Sequence, residues 1–246
     1  MIKLTDLSKN FNSFTAVDKI NLDIKAGDLF GFLGPNGAGK TTTIKMIVGL
    51  YSPSSGTIEI DNILASETNI ETKRLFGYIP DQPFLYDKLT GKEFLLFSGG
   101  LYGIKKNLLI QRIEEIVELL KIEEWLYKRT EEYSQGMRQR ITIASALLHD
   151  PKVIIVDEPM VGLDPQSAHI VKNVFKEMAS AGKTIFMSTH SLNVVEEICT
   201  RVGIIRRGKI IFDDTIDKLH DLKTHHDRNL EELFIELTKD EVIIPD

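Results

Sequence analysis

The chain has 246 residues, of which 42% are hydrophobic, and its 30 basic and 36 acidic residues leave a net charge of −6. This length and composition suffice for one large domain with a full core and exclude a wholly disordered chain. The acidic balance argues against nucleic acid or an anionic lipid surface as the main partner, because both need a concentrated basic face.

Three features of the sequence predict a cytoplasmic protein. The single cysteine, Cys199, cannot form an internal disulfide and fits a reducing compartment. The stretch Met1–Asp6 turns polar at once, unlike a signal sequence. No apolar run approaches the roughly 20 residues that a membrane helix needs. We therefore expect any action at a membrane to require another chain that spans it.

The N-terminal third alternates apolar and polar residues, a pattern typical of β-strands. The predicted strands are Ile2–Leu7, Ile20–Ile24, Thr57–Asp61 and Leu75–Pro80, and Ser52–Gly56 is predicted to be a loop. This part of the chain should contain an antiparallel β layer.

A glycine-rich segment, Gly34–Thr42, fits the pattern G-x-x-x-x-G-K-S/T. It lies between Leu29–Leu33, an apolar run that predicts a buried strand, and Thr42–Val48, which predicts a helix. Its residues are Gly34, Pro35, Asn36, Gly37, Ala38, Gly39, Lys40, Thr41 and Thr42. Glycines allow backbone N–H groups to approach phosphate oxygens, and the following helix N-terminus favours an anion. With Lys40 for the β- and γ-phosphates and Thr41 for Mg²⁺, the segment predicts a nucleoside triphosphate site.

The pattern becomes helical from about residue 88 to residue 149. Apolar residues recur at helical spacing in Leu109, Ile113, Ile116, Val117 and Leu120. Near the end of this part, Ser134 is a good N-cap for a further apolar helix.

The β pattern then returns. Val153–Asp157 and Thr184–Ser188 are apolar runs typical of a parallel sheet covered on both faces, with a helix predicted between them at Ser167–Ala179. Val202–Arg206 and Lys209–Phe212 are predicted to pair as a hairpin.

Two acids end the first of these strands. Beside a phosphate loop, Asp157 can hold the Mg²⁺ shell, and Glu158 can polarise water as a general base.

Over about residues 1–215 the chain resembles the ATP-binding-cassette (ABC) ATPases, because several motifs occur in that family's order. Gly34–Thr42 matches the Walker A motif, and Val153–Asp157 matches Walker B, with Glu158 as the catalytic glutamate. Gly162–Pro165, which includes Asp164, is similar to the D-loop at the dimer interface, and His190 matches the switch histidine that contacts the γ-phosphate.

The segment Tyr133–Met137 is similar to the family signature LSGGQ. Ser134 and Gly136 match it, whereas Tyr133, Gln135 and Met137 depart from it. Ser98–Gly100 looks closer to the family string, but it lies too far upstream of the Walker B strand.

Two further positions follow from the resemblance. Phe11 stands where the family has an aromatic residue that stacks on adenine, and Phe14 is the weaker candidate for that role. The family's Q-loop glutamine is replaced by Asp81, followed by Gln82. We hypothesise that one of these two senses the metal and couples to a membrane partner.

The resemblance implies an α/β fold with a P-loop NTPase (RecA-like) core, an N-terminal antiparallel β layer and an inserted helical subdomain. The ABC ATPase domain would cover residues 1–220, with the helical subdomain at about 88–149. It further implies an ATPase that uses ATP and Mg²⁺ and works as a head-to-tail dimer with a second copy or a paralogue. In that dimer, Ser134, Gln135 and Gly136 of one copy face the phosphate loop of the other.

The implied function is to power substrate movement, in the manner of bacterial export-type (ABC-2-like) members. A separate membrane-spanning permease would hold the subunit at the inner face of the membrane, with no direct membrane insertion. The alternative is a non-transport ABC ATPase that drives a conformational change in a membrane or assembly complex. A nucleic-acid-acting member is disfavoured by the single cassette, and a GTPase by the lack of a guanine-reading motif.

The last residues, 221–246, are predicted to form a tail with a short amphipathic helix. Its apolar positions are Leu230, Leu233, Phe234 and Leu237. His225-His226-Asp227 is interpreted as a solvated loop and not a metal site, because no further ligands are positioned by the sequence.

Overall fold

The computed structural model describes residues 1–66 and 68–226, with the backbone alone described over 222–226. A four-stranded antiparallel sheet forms first, in the order β2-β1-β4-β5. Its strands are β1 (Ile2–Phe11), β2 (Phe14–Ile24), β4 (Ser55–Ile60) and β5 (Ile63–Leu64). This sheet is the predicted β layer.

A second sheet of six strands forms the centre of the molecule, in the order β10-β9-β3-β8-β7-β6. Its strands are β3 (Leu29–Leu33), β6 (Phe76–Ile79), β7 (Val153–Asp157), β8 (Thr184–Thr189), β9 (Arg201–Arg206) and β10 (Lys209–Thr215). All neighbours are parallel except the β9–β10 hairpin, which was predicted. Strands β3, β7 and β8 are almost wholly buried, as their apolar sequences predict.

Eight α-helices and two short 3₁₀ helices, Glu123–Trp125 and Thr130–Glu132, complete the described part of the chain. The α-helices are α1 (Lys40–Ile47), α2 (Ile70–Leu75), α3 (Gly91–Leu101), α4 (Lys106–Leu120), α5 (Gln135–Leu147), α6 (Pro165–Ser180), α7 (Leu192–Ile198) and α8 (Ile216–His226). Helix α1 shares one apolar core with both sheets, so its N-terminus is held firmly against the central sheet. Helices α3, α4 and α5 pack on one another, and the apolar face predicted on α4 is buried.

Several predicted strand limits were wrong by a few residues. Strand β1 continues four residues beyond Leu7, because a bulge restores its pairing with β2 after the alternation slips. Strand β4 begins at Ser55, inside the predicted loop, because it pairs with β1 at Ser8. Leu75 ends α2 instead of starting β6.

The C-terminal prediction is tested only in part. Helix α8 runs from Ile216 to His226, so His225 and His226 belong to a helix, and the loop predicted there was wrong. Asp227 and the predicted amphipathic helix at 230–237 lie outside the described residues. Within the described residues, no helix has the length and apolar character needed to cross a bilayer.

Candidate active site

The predicted site residues follow four neighbouring parallel strands. Strands β3, β8, β7 and β6 lie side by side, so their carboxyl ends meet at one edge of the sheet. Gly34–Gly39 follow β3, His190 follows β8, Glu158 follows β7 and Asp81 lies shortly after β6. This edge is where open parallel sheets bind ligands.

The phosphate loop depends on its glycines. Gly37 and Gly39 have φ of 78° and 110°, which residues with a Cβ rarely adopt. A Cβ on Gly34 would lie 2.4 Å from the carbonyl oxygen of Ile205. Gly39 caps α1 without any side-chain hydrogen bond, so the N–H groups of the first turn are left for an anion.

Lys40 lies over this loop and is only 6% exposed. Its Nζ donates to the carbonyl oxygens of Gly34, at 2.7 Å, and Pro35, at 3.2 Å. The same Nζ lies 3.4 Å from Glu158 Oε1. The ammonium therefore sits between the phosphate loop and the candidate general base.

Glu158 is held in an unusual backbone conformation. Its φ is 48°, in the left-handed region that a non-glycine residue adopts at a cost. Its N–H donates to Ser188, at 3.2 Å to the carbonyl oxygen and 3.2 Å to Oγ. This turn directs the carboxylate between Lys40 and His190, whose Nδ1 lies 3.0 Å from Glu158 Oε2.

Asp157 is fully buried and has one oxygen without a partner. Oδ1 accepts a hydrogen bond from Ser188 Oγ, whereas no hydrogen bond reaches Oδ2 in the described structure. Burial raises the pKa of this carboxyl, and hydrogen bonds from Ser188 and Thr41 partly oppose the rise. The nearby charges of Asp81 and Glu158 raise the same pKa further. A buried carboxylate oxygen with a free lone pair, beside a threonine hydroxyl, fits a hard cation such as Mg²⁺.

The two Q-loop candidates differ in their relation to this carboxyl. Asp81 accepts a hydrogen bond from the backbone N–H of Gln82 at 2.9 Å. Its charge contributes to the raised pKa of Asp157; burial raises the pKa of Tyr78 to about 12, with smaller contributions from Asp157 and then Asp81. The charge of Asp81 therefore acts on Asp157, whereas Gln82 carries no charge.

The signature residues pack against α6 of their own subunit. Ser134 caps α5, its Oγ accepting from the N–H of Met137 at 3.3 Å. A Cβ on Gly136 would lie 2.8 Å from Ser167 Oγ and 3.1 Å from Asp164 Oδ2. Asp164 in turn caps α6, accepting from the N–H of Ser167 at 2.9 Å. The competing Ser98–Gly100 string lies inside α3 and presents no helix N-terminus.

Tyr133 explains one departure from the signature. Its hydroxyl donates to the carbonyl oxygen of Trp125 at 3.0 Å, and the two rings meet edge to face with centroids 4.8 Å apart. The side chain is buried, so this position serves the core of the helical subdomain.

Phe11 lies at the end of β1 with 41% of its surface exposed. Its ring meets Tyr51 edge to face, with centroids 5.7 Å apart, and Lys9 Nζ lies 5.2 Å from its centroid. Phe14 is more exposed. The partner ring favours Phe11 as the base-stacking residue.

Sequence reasoning missed two residues of the site. Ser188 donates to Asp157 and accepts from Glu158, and its signal was a polar residue near the carboxyl end of a buried strand. Tyr51 gave no signal, because its contact with Phe11 crosses 40 residues of sequence.

Comparison with known proteins identifies this chain as similar to ABC transporter ATP-binding proteins. The family described as ABC transporter matches residues 17–161. The bacitracin transport ATP-binding protein BcrA of Bacillus licheniformis is 40% identical over 220 residues, covering 89% of this chain and 71% of that protein. The ABC transporter ATP-binding protein NatA of Bacillus subtilis is 36% identical over 234 residues, covering 93% and 95%.

Solved structures agree. An ATP-binding subunit of an ABC transporter superposes with a TM-score of 0.88 at 31% identity, covering 97% of this chain and 100% of that one. A dimeric cassette in a post-hydrolysis state with ADP and Pi superposes with a TM-score of 0.80 at 26% identity, covering 88% and 99%.

Proposed function

The chain belongs to the ABC transporter family as an ATP-binding subunit that hydrolyses ATP, and we propose that two copies share each ATP between them. The comparisons confirm three predictions made from the sequence: the family, the α/β fold and the ATPase activity. The residue roles, the magnesium ion and the membrane partner are parts of the proposal.

One observation carries the proposal. Lys40, Asp157, Glu158 and His190 meet at one edge of the central sheet, while Ser134–Gly136 lie on the N-terminus of a different helix. Such an N-terminus is an anion site, with free N–H groups and the positive end of the helix dipole. In a head-to-tail pair, Ser134–Gly136 of one copy would close over the γ-phosphate bound by the other. ATP would then hold the dimer together, and hydrolysis would release it.

Each residue has a defined task in this arrangement. Asp157 and Thr41 would hold Mg²⁺, which would supply neutralisation of the phosphate charge. When ATP binds, Lys40 breaks its hydrogen bonds with the carbonyl oxygens of its own loop and donates to the phosphate oxygens instead. Glu158 accepts a proton from the attacking water, and His190, hydrogen-bonded to it, orients the carboxylate. Charge neutralisation and positioning are the main sources of rate in phosphoryl transfer.

A membrane-spanning permease is the proposed second partner. Phe84, Tyr86 and Phe97 are exposed yet contact one another, with Tyr86 lying 5.6 Å from Phe84 and 5.3 Å from Phe97 between centroids. Tyr86 and Phe97 border a mostly apolar cavity of about 490 Å³. Phe84 follows Asp81 by three residues, so a cytoplasmic helix of the permease seated here would be linked directly to the metal site. We place the subunit at the inner face of the membrane through this contact.

Export is the proposed direction of transport. The relative BcrA is named for bacitracin transport, and NatA is named as an ABC transporter ATP-binding protein. The matches to both relatives cover most of this chain. A transport role is favoured over a purely regulatory one by these names.

The shared-ATP dimer is tested with Glu158→Gln, which keeps the size of the side chain but cannot act as a base. We expect light scattering to show a monomer without nucleotide and a dimer at saturating Mg-ATP. Adding Ser134→Arg should abolish the dimer, because a long side chain would block the opposing phosphate, while Gln111→Arg on the exposed face of α4 should not. A Glu158→Gln variant that stays monomeric would contradict the proposal.

The permease contact is tested separately with Phe84→Ser and Tyr86→Ser. We expect isolated ATPase activity to remain while co-purification with the membrane partner is lost. Loss of basal ATPase activity instead would assign these aromatics to the catalytic fold.

A further inference from the structure

The side chain of Gln135 lies directly on the D-loop of its own subunit. Its Nε2 donates to the carbonyl oxygen of Val161 at 3.2 Å. A Cβ on Gly162 would lie 2.1 Å from the same Nε2, so the amide rests against bare backbone. Gly162 also has a φ of 71°. Glycine is therefore required there both for the turn and for this contact.

The contact extends to the candidate general base. The N–H of Val161 donates to the carbonyl oxygen of Glu158 at 3.3 Å. Val161 thus accepts a hydrogen bond from Gln135 through its carbonyl oxygen and donates one to Glu158 through its N–H. The path from Gln135 to Glu158 passes through Val161 alone.

A second contact fixes the other end of the same segment. Gly136 packs against Asp164 and Ser167 closely enough that no Cβ would fit without a shift. Ser167 Oγ donates to Asp164 Oδ2 at 2.6 Å. Residues 161–164 are therefore held at both ends by the first turn of α5.

We propose that Gln135 is a positioning residue that ties Glu158 to the signature helix of its own subunit. The resemblance to the family signature expects glycine at this position, which has no side chain to make the tie. In the shared-ATP dimer, Ser134 and Gly136 contact the partner's nucleotide while the Gln135 side chain stays on Val161, whereas Glu158 acts on the nucleotide of its own subunit. Gln135 therefore transmits occupancy of one ATP site to the base of the other. This inference rests on the proposed function.

Gln135→Met tests the tie, since methionine keeps the length and packing but has no donor. We expect kcat to fall about fivefold, the effect of one neutral hydrogen bond, with KM for ATP and the melting temperature unchanged. Hydrogen exchange of the amides of residues 161–163 should be faster in the monomer as well as in the dimer. Gln111→Met, the same change at an exposed glutamine, should alter none of these.

A double-mutant cycle isolates the contact with Gly162. Gly162→Ala should reduce kcat more strongly when Gln135 is present than in a Gln135→Ala background. The backbone strain at residue 162 is the same in the two backgrounds, but the clash of the new Cβ with the amide occurs only when Gln135 is present. Gln135→Met with unchanged kcat and unchanged exchange at 161–163 would overturn the inference. If the exchange changes but Glu158→Gln fails to dimerise, the tie exists and the shared-ATP dimer is wrong.

Discussion

Nδ1 of His190 lies 3.0 Å from Oε2 of Glu158, while the other oxygen of that carboxylate lies 3.4 Å from the ammonium of Lys40. The three side chains come from three different segments, after β8, after β7 and at the start of α1. A carboxylate held between two such groups is oriented before substrate arrives. This preorganisation is what a general base needs if positioning supplies most of the rate.

His190→Ala should lower kcat roughly a hundredfold, because Glu158 loses the group that orients it and the γ-phosphate loses a contact. ATP affinity should change little, since the phosphate loop is untouched. Phosphate release and fluorescent-nucleotide titration measure the two quantities. His220→Ala, at a partly exposed histidine of α8 that lies 3.7 Å from Glu196, serves as the control. A His190→Ala variant with near-normal kcat would remove this residue from the site.

Asp157→Asn should stabilise the nucleotide-free protein while abolishing Mg-ATP hydrolysis. The buried carboxyl has a raised pKa in the folded chain, so the folded state binds its proton more tightly than the unfolded state does. Stability is therefore lost as pH rises through the range between the two pKa values. The neutral amide avoids this loss, and a gain of about 1 kcal/mol would raise Tm by roughly 2–4 °C.

The gain from Asp157→Asn should shrink as the pH falls and vanish below about 3, where the carboxyl is protonated in both states. Calorimetry at several pH values measures it. Lower stability of Asp157→Asn at pH 7 would show that the charge is satisfied within the protein.

Phe11→Ala should weaken ATP binding about tenfold through loss of base stacking, with Phe14→Ala as the matched control on the next strand. Nucleotide titration separates the two variants. Equal effects of both substitutions would argue for a general disturbance of the β1–β2 hairpin instead of stacking.

Tyr133→Phe should reduce the free energy of unfolding by about 1 kcal/mol, because the carbonyl oxygen of Trp125 loses one donor and keeps the other, the N–H of Lys128 at 3.0 Å. Urea unfolding measures the change. Tyr127→Phe is the control, since Tyr127 is exposed and its hydroxyl accepts from the flexible side chain of Lys92. Loss of ATP binding without loss of stability would instead place Tyr133 at the nucleotide.

The sequence predicted the parts of this molecule whose signal is local. A few adjacent residues are enough to identify the phosphate loop, the acidic end of β7 and the N-cap Ser134, because turn geometry and capping are short-range effects. Strands β3, β7 and β8 were predicted for the same reason, since burial on both faces leaves a continuous apolar run.

The parts that were missed depend on contacts between distant segments. The strand order that brings β3 next to β8 and β9 is set by crossovers that no local pattern records. The bond from Ser188 to Asp157 spans 31 residues, and that from Gln135 to Val161 spans 26. Gln135 therefore looked like a mere departure from a signature, whereas its role depends on a glycine in another loop.

The shared ATP site is tested most directly by a disulfide across it. Asn36→Cys and Ser134→Cys, both exposed, would be combined with Cys199→Ser and Glu158→Gln. Because a disulfide forms only when the Cα atoms lie within about 7 Å, a head-to-tail dimer brings the pair together and distant sites do not. Asn36→Cys with Gln111→Cys is the control.

Non-reducing electrophoresis after mild oxidation gives the answer. We predict a covalently linked dimer that forms with Mg-ATP, stays at background without nucleotide, and is absent for the control pair. A cross-link that is missing at saturating Mg-ATP, or that forms equally without nucleotide, would contradict an ATP molecule held between the phosphate loop of one subunit and Ser134 of the other.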